Sequence, residues 1–195
     1  MGVDNEYWYK ECTLLKSRLF LIVTLIICGV SAALYLAYIL NGGSSPRFQR
    51  EVNQAVPRMI VPPLHNKTKG IDPDDFKGQV TLVSFFASWC GPCNVNHAAL
   101  LELAKTHGIR VVGVNLRDQT STAQLWLMAN GNPFQAIGSD PNGQAAAAWG
   151  VQSIPHMFIV DKKANIRLVM MGALTPQKTQ EIALPFLKKL SAEPE

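Results

Sequence analysis

Cys90-Gly91-Pro92-Cys93 follows directly on an apolar run, in the stretch TLVSFFASWCGPC from Thr81 to Cys93. Two thiols separated by two residues can attack a disulfide in turn. The first forms a mixed disulfide, and the second, one helical turn on, displaces it. The spacing works only if the pair sits where a chain turns into a helix. Backbone N–H groups and the helix dipole then stabilise a thiolate at Cys90. A CxxC can also be half of a zinc site, but zinc takes four ligands and no second CxxC exists. His97 alone does not complete such a site, and Cys12 and Cys28 lie far upstream in a different kind of segment. An inert structural disulfide is the other alternative.

The elements that must position the pair are legible on both sides. Val80 to Ala87 is nearly unbroken in apolar and β-forming residues, as expected for a strand buried on both faces. A helix follows from about Pro92 to Thr106, with Leu100, Leu101, Leu103 and Ala104 on its apolar stripe and Gly108 at its end. Ile109 to Asn115 reads as a second buried strand. Thr120 or Ser121 caps a helix that stops at Asn130-Gly131, and Phe134–Ile137 is a short extended piece. Ala145 to Trp149 makes a short helix ending at Gly150. Met157 to Asp161 and Asn165 to Gly172, joined by Lys162-Lys163-Ala164, form an antiparallel hairpin. Thr175-Pro176 opens a last helix, which Pro185 should kink. The order βαβαβαββα predicts an α/β domain: a mostly parallel central sheet, an antiparallel edge hairpin, and helices on both faces.

Upstream, the composition changes. Leu19 to Leu40 carries no charge over 22 residues, which as a helix reaches about 33 Å, enough to cross a bilayer core. Trp8 and Tyr9 before it and Tyr35 and Tyr38 near its end fit interfacial positions. Lys10, Lys16 and Arg18 precede the run, and Arg47 and Arg50 follow it. This modest bias orients the N-terminus to the cytoplasm and the following domain outward. Val30-Ser31-Ala32 resembles a signal-peptide cleavage site, but the apolar run outlasts a signal core, so an uncleaved anchor is expected. Cys12 and Cys28 then cannot serve the redox pair. The division is a cytoplasmic segment at 1–18, an anchor at 19–40, a Gly/Ser/Pro-bearing tether at 41–56 and a folded domain at 57–195. Residues 57–77 should form an irregular, proline-rich lead-in with short extended pieces, ending in a small turn or helix at Asp74-Asp75-Phe76 before Gly78. The net charge is +4 over 195 residues, and no basic run or aromatic-basic interleaving points to nucleic acid. Asn66-Lys67-Thr68 matches a glycosylation sequon and receives no role.

SFFASWCGPC, the later IPHMFIVD and the order of elements resemble the thioredoxin fold. Within it the chain is similar to the membrane-anchored thioredoxin-like proteins of cytochrome c maturation, the CcmG/DsbE family. The likeness runs from about Gly78 to Leu190 and adds the single anchor. It rests further on GIRVVGVNLRD (Gly108 to Asp118), on Trp126-Leu127 before Gly131-Asn132-Pro133-Phe134, and on GVQSIP (Gly150 to Pro155). The resemblance implies a cis peptide bond before Pro155, facing the cysteines, with Ile154 offering backbone to an extended client. It also implies that Trp89, Gly91 and Pro92 frame the client site. His97 is expected on the helix surface or just behind the cysteines, and His156 beside Pro155. Three departures stand out: Asn96, His156 and Ser84 occupy positions where family members or thioredoxin carry a carboxylate. Each removes a group able to raise a thiol pKa or accept a proton.

The resemblance implies a bacterial inner-membrane protein with its domain in the periplasm, a thiol-disulfide oxidoreductase without a cofactor beyond its Cys90–Cys93 couple. Its expected task is to reduce the CxxCH disulfide of apocytochrome c, directly or through haem-ligation components. A CcdA- or DsbD-like membrane donor would return the electrons. A general periplasmic reductase keeps the chemistry and changes the client. A copper metallochaperone of the same fold is the alternative of another class, although its usual spacing is CxxxC with a distal histidine.

Overall fold

The computed structural model describes residues 4–40 and 49–194, which divide into two units, Met1–Pro46 and Arg47–Glu195. The first unit holds one helix, α1 (Asp4–Leu40). Within it Phe20–Ala37 is long and apolar enough to cross a membrane, as membrane anchors and signal sequences both are.

The second unit is built on a six-stranded mixed sheet in the order β1-β6-β5-β2-β3-β4. The strands are β1 (Gln49–Ala55), β2 (Thr81–Phe86), β3 (Arg110–Leu116), β4 (Ala136–Asp140), β5 (His156–Val160) and β6 (Asn165–Met171). β2 pairs parallel with β3 and β3 with β4, while β2–β5, β5–β6 and β6–β1 are antiparallel. Every residue of β2 and β3 is buried, as their continuous apolar sequence requires of strands covered on both faces. Helix α2 (Cys93–His107) ends on Gly108, whose φ of 64° is a left-handed conformation that glycine adopts at no steric cost.

One core layer gathers Leu82, Leu100, Leu103, Met157, Ile159 and Leu187 with both cysteines, joining α2, α3 (Thr120–Asn130) and α6 (Leu184–Ala192) to the sheet. The opposite layer packs Phe85, Phe158 and Trp149 under α4 (Gln144–Ala148) and the lead-in residues Val56, Val61, Ile71 and Phe76. Phe85, Trp149 and Phe158 meet edge-on or tilted, with centroids 5.0–5.9 Å apart, geometry that suits ring quadrupoles.

Several expectations need correction. Residues 41–48 of the tether lie outside the described residues, but its end is not linker: Gln49–Ala55 forms β1 along β6, with a bulge between Glu51 and Gln54. The antiparallel side therefore carries a third strand, β1, on the outer edge of the expected hairpin. The lead-in is ordered by bridges Val61↔Ile71 and Pro63↔Gly138, which cover the β4 edge. The third parallel strand begins at Ala136, not Phe134, because the Phe134 ring turns inward to stack on Phe86 at 4.8 Å. The small turn or helix expected at Asp74-Asp75-Phe76 is present as a 3₁₀ turn, Pro73–Phe76, capped by the Asp72 carboxylate. α3 is preceded by Gln119, and neither Thr120 nor Ser121 caps it. The last helix is α5 (Pro176–Lys178), a π-helical stretch (Thr179–Ala183) and α6. The π stretch is how the chain accommodates Pro185, which has no N–H and crowds the carbonyl four residues earlier.

Gly138 tests how tightly the lead-in seats on the sheet. A Cβ there would lie 2.6 Å from Val61 Cγ1 and 3.1 Å from Ile71 Cδ1. Gly138→Ala should cost about 1–3 kcal/mol in urea unfolding and open residues 56–72 to limited proteolysis. An unchanged midpoint and digestion pattern would contradict this packing.

Candidate functional site

β2 ends at Phe86, and the chain turns through Ala87, Ser88 and Trp89 into the Cys90–Cys93 disulfide, whose Cα atoms are 5.3 Å apart. The Cys90 N–H donates to Ala87 O and the Cys93 N–H to Cys90 O, at 3.2 and 3.0 Å. These turns wind the backbone up to α2, which starts at Cys93 with Pro92 as its N-cap residue. Cys90 therefore sits just before the helix, at its positive end. Both cysteines are largely covered (Cys90 5% exposed, Cys93 2%), while Gly91 and Pro92 are exposed and Trp89 is 62% exposed. Trp89 is thus not core; its Nε1–H donates to Arg117 O at 3.0 Å and holds the indole at the lip of the disulfide.

The Ile154–Pro155 bond is cis. His156 pairs with Phe85 across β5 and β2, so Pro155 falls at the end of β2 from which the CxxC turn leaves. Pro155 is buried, Ile154 is half-buried, and Ile154 packs against the core layer that holds both cysteines. The Gly172 N–H closes this end of the sheet by donating to Pro155 O at 2.9 Å.

The residues behind the disulfide carry no charge. Ser84 is buried in mid-sheet, between Gly113 and Met157. Asn96 is 2% exposed and fully engaged. Its Oδ1 accepts from Leu174 N–H at 2.7 Å, and its Nδ2 donates to Gly172 O and Met157 Sδ. An amide suits this spot because it both donates and accepts, which a carboxylate cannot. His97 is not on the helix surface. It is buried, its Nε2 lies 2.8 Å from Gly131 O, and its ring meets Trp126 edge-on at 4.3 Å. Burial holds its pKa below the ordinary value, against smaller opposing effects of the Gly131 and Asn130 backbone. His156 is also buried and stacks on Phe158 at 4.8 Å. Neither of its ring nitrogens has a hydrogen-bond partner among the described residues. Burial again lowers the pKa, partly offset by the nearby Ser153 backbone. Both imidazoles are therefore neutral fixtures of the packing.

One residue without a role in the sequence reading emerges here. Asp118, just past β3, accepts from Ser88 N–H at 2.6 Å, Ser88 Oγ at 2.8 Å and Asn115 Nδ2 at 2.9 Å. Because β2 and β3 are parallel, their C-terminal ends lie side by side and bring residues 88 and 118 together. A sequence signal existed: a carboxylate just beyond a buried parallel strand, at the sheet end where α/β proteins place their sites. Among the described residues no group of three or more His, Cys, Asp or Glu side chains is placed to hold a metal ion.

Comparison with known proteins gives a consistent answer. The profile of the redoxin family matches residues 51–183. The thiol:disulfide interchange protein CycY of Rhizobium leguminosarum is 42% identical over 118 residues, spanning 60% of this chain and 63% of that protein. DsbE of Xylella fastidiosa, also a thiol:disulfide interchange protein, is 30% identical over 176 residues, 87% of this chain and 89% of the relative. The crystal structure of a putative DsbE from Chlorobium tepidum superposes with a TM-score of 0.62 at 28% identity, covering 72% of this chain and 98% of that one.

The two neutral histidines give a pH signature. Their folded pKa values lie below the unfolded value of about 6.5, so between the two the unfolded chain binds more protons. The stability they contribute is full above about pH 6.5 and is lost as pH falls through and below it. The urea midpoint should drop between about pH 7.5 and about pH 5, and His156→Phe should shrink that drop. A drop of the same size in the variant would contradict the assignment to His156.

Proposed function

This chain belongs to the redoxin family as a thiol-disulfide oxidoreductase related to DsbE, and from that premise we propose that it is a membrane-tethered reductant of exported protein disulfides. The observation that carries the reading is the Cys90–Cys93 pair on the β2–α2 turn, with Cys90 between the exposed Trp89 and Gly91-Pro92 and Cys93 as the first residue of α2. In the reduced protein, the Cys90 thiolate attacks one sulfur of a client disulfide and expels the other as a thiolate. Cys93 loses its proton and attacks Cys90 Sγ, which expels the client's second thiolate. Two electrons pass to the client, and Cys90–Cys93 is left oxidised.

Trp89, Gly91 and Pro92 offer the client a flat, accessible surface, and Ile154-Pro155 lies at the same sheet end to present backbone to it. The client class, by family resemblance, is the CxxCH disulfide of apocytochrome c, whose thiols must be free before they can bond haem. The apolar segment within α1 serves as a single-pass inner-membrane anchor, with the redoxin domain in the periplasm. That compartment is kept oxidising, so a membrane dithiol donor of the CcdA or DsbD kind must re-reduce the pair. The domain limits proposed on this reading are an anchor within α1 and a redoxin domain that starts with β1.

Cys93→Ser in native membranes should accumulate mixed disulfides at Cys90, and identification of the trapped proteins tests the client. Apocytochrome c or haem-ligation components are expected. A broad set of unrelated exported proteins would mean a general reductase. No trapped protein at all, with Cys90 reactive to a small alkylating reagent, would contradict the exchange role.

A further inference from the structure

We propose that Asp118 is a positioning residue for the exchange reaction: its carboxylate clasps the turn leading to Cys90 and opposes negative charge on that sulfur, which biases the couple toward giving electrons away. The proposal rests on Cys90 being the attacking thiol and adds a residue from a different strand.

The geometry has two parts. The clasp consists of two bonds from Asp118 to Ser88, one to the backbone N–H and one to the hydroxyl, and a third to Asn115. Trp89 Nε1–H adds a fourth through the neighbouring Arg117 carbonyl. Residues 88 and 89, the two immediately before Cys90, are thus fixed by the end of β3. Arg117 itself takes φ of 47°, a left-handed turn that swings residue 118 back toward Ser88.

The second part is charge. All three donors to Asp118 are uncharged groups, so the clasp leaves a carboxylate on Ser88, the residue two before Cys90 in the chain. The other elements around the turn add little against it. The first turn of α2, Cys93 to Asn96, carries no basic side chain, and Asn96 and His97 are buried and neutral. The loop after Gly150 contributes only His156, also buried and neutral. The Arg117 guanidinium is directed at Gly143, where its Nη2 lies 2.9 Å from the position a Cβ would take. Ser84, Asn96 and His156 stand where the resemblance implies carboxylates, and Asp118 supplies one by another route. A negative charge beside Cys90 disfavours its thiolate, raises the proton affinity of the attacking thiol, and disfavours the reduced, thiolate-bearing state relative to the disulfide.

The test uses the full-length chain in detergent with Cys93→Ser, so that Cys90 cannot re-form its disulfide. The pH dependence of Cys90 alkylation is followed by peptide mass, which counts Cys12 and Cys28 apart. Asp118→Asn, an isosteric change that can still bond Ser88, should lower the alkylation midpoint by about 0.5–1 pH unit, a three- to tenfold change in proton affinity. Ser88→Ala removes one bond and keeps the charge, so its midpoint should stay near the parent's. With Asp118 intact, raising salt to about 1 M should lower the midpoint toward that of Asp118→Asn, because the Debye length there is about 3 Å. This arm needs no substitution at residue 118 and covers the case of a misfolded variant. Equal midpoints in parent and Asp118→Asn, or an equal shift in Ser88→Ala, would overturn the charge role. In the reduced wild-type chain, faster labelling of Cys93 than of Cys90 would instead overturn the attacking role of Cys90.

Discussion

The parallel pairing of β2 with β3 is the constraint on which the site depends. It runs in register from Thr81↔Arg110 to Phe86↔Asn115, buried on both faces. Strand β2 delivers the CxxC turn at its C-terminal end, and β3 delivers Asp118 beside it. β5 then pairs with the other edge of β2 and brings Pro155 to the same end. Three segments distant in sequence converge because their strands are neighbours in one sheet. A one-residue slip in the β2–β3 register would turn side chains to the opposite face and separate Ser88 from Asp118.

The electrostatic character of the site follows from what that convergence does and does not bring in. Behind the disulfide the chain places an amide, a hydroxyl and two neutral imidazoles, all packed or hydrogen-bonded except for the His156 nitrogens. A buried imidazole without partners is costly when charged and tolerable when neutral. Among the described residues no buried carboxylate lies there to take the Cys93 proton as resolution proceeds. The Asp118 carboxylate that holds Ser88 is only half-buried, where solvent and salt still reach it. The chemistry of this site is therefore set more by helix and turn geometry than by a buried acid.

Much of this was legible in the sequence, for local reasons. The strand before the cysteines, the helix after them and the final hairpin each carry their own pattern and punctuation. Other features were hidden because the interactions that create them are long-range. β1 reads QREVNQA, with no apolar alternation, because only Val52 is even partly buried; it is a strand by virtue of its partner β6. The helical pattern left His97 either on the surface or just behind the cysteines. It is buried because Trp126 and Phe134, roughly thirty residues on, close over it. Asp118 sat in a quoted motif without a role until the sheet placed Ser88 beside it. The identity of the cysteine pair could be read from residues 80–93 alone, whereas its surroundings needed the topology.

Everything proposed for this site turns on whether the couple donates electrons. Equilibrating the purified chain with dithiothreitol or glutathione buffers, and counting Cys90 and Cys93 thiols by mass, gives its reduction potential directly. A reductant should give a value below about −180 mV, on the reducing side of the disulfide isomerases. A value near or above about −120 mV, where strong periplasmic oxidants lie, would contradict that role.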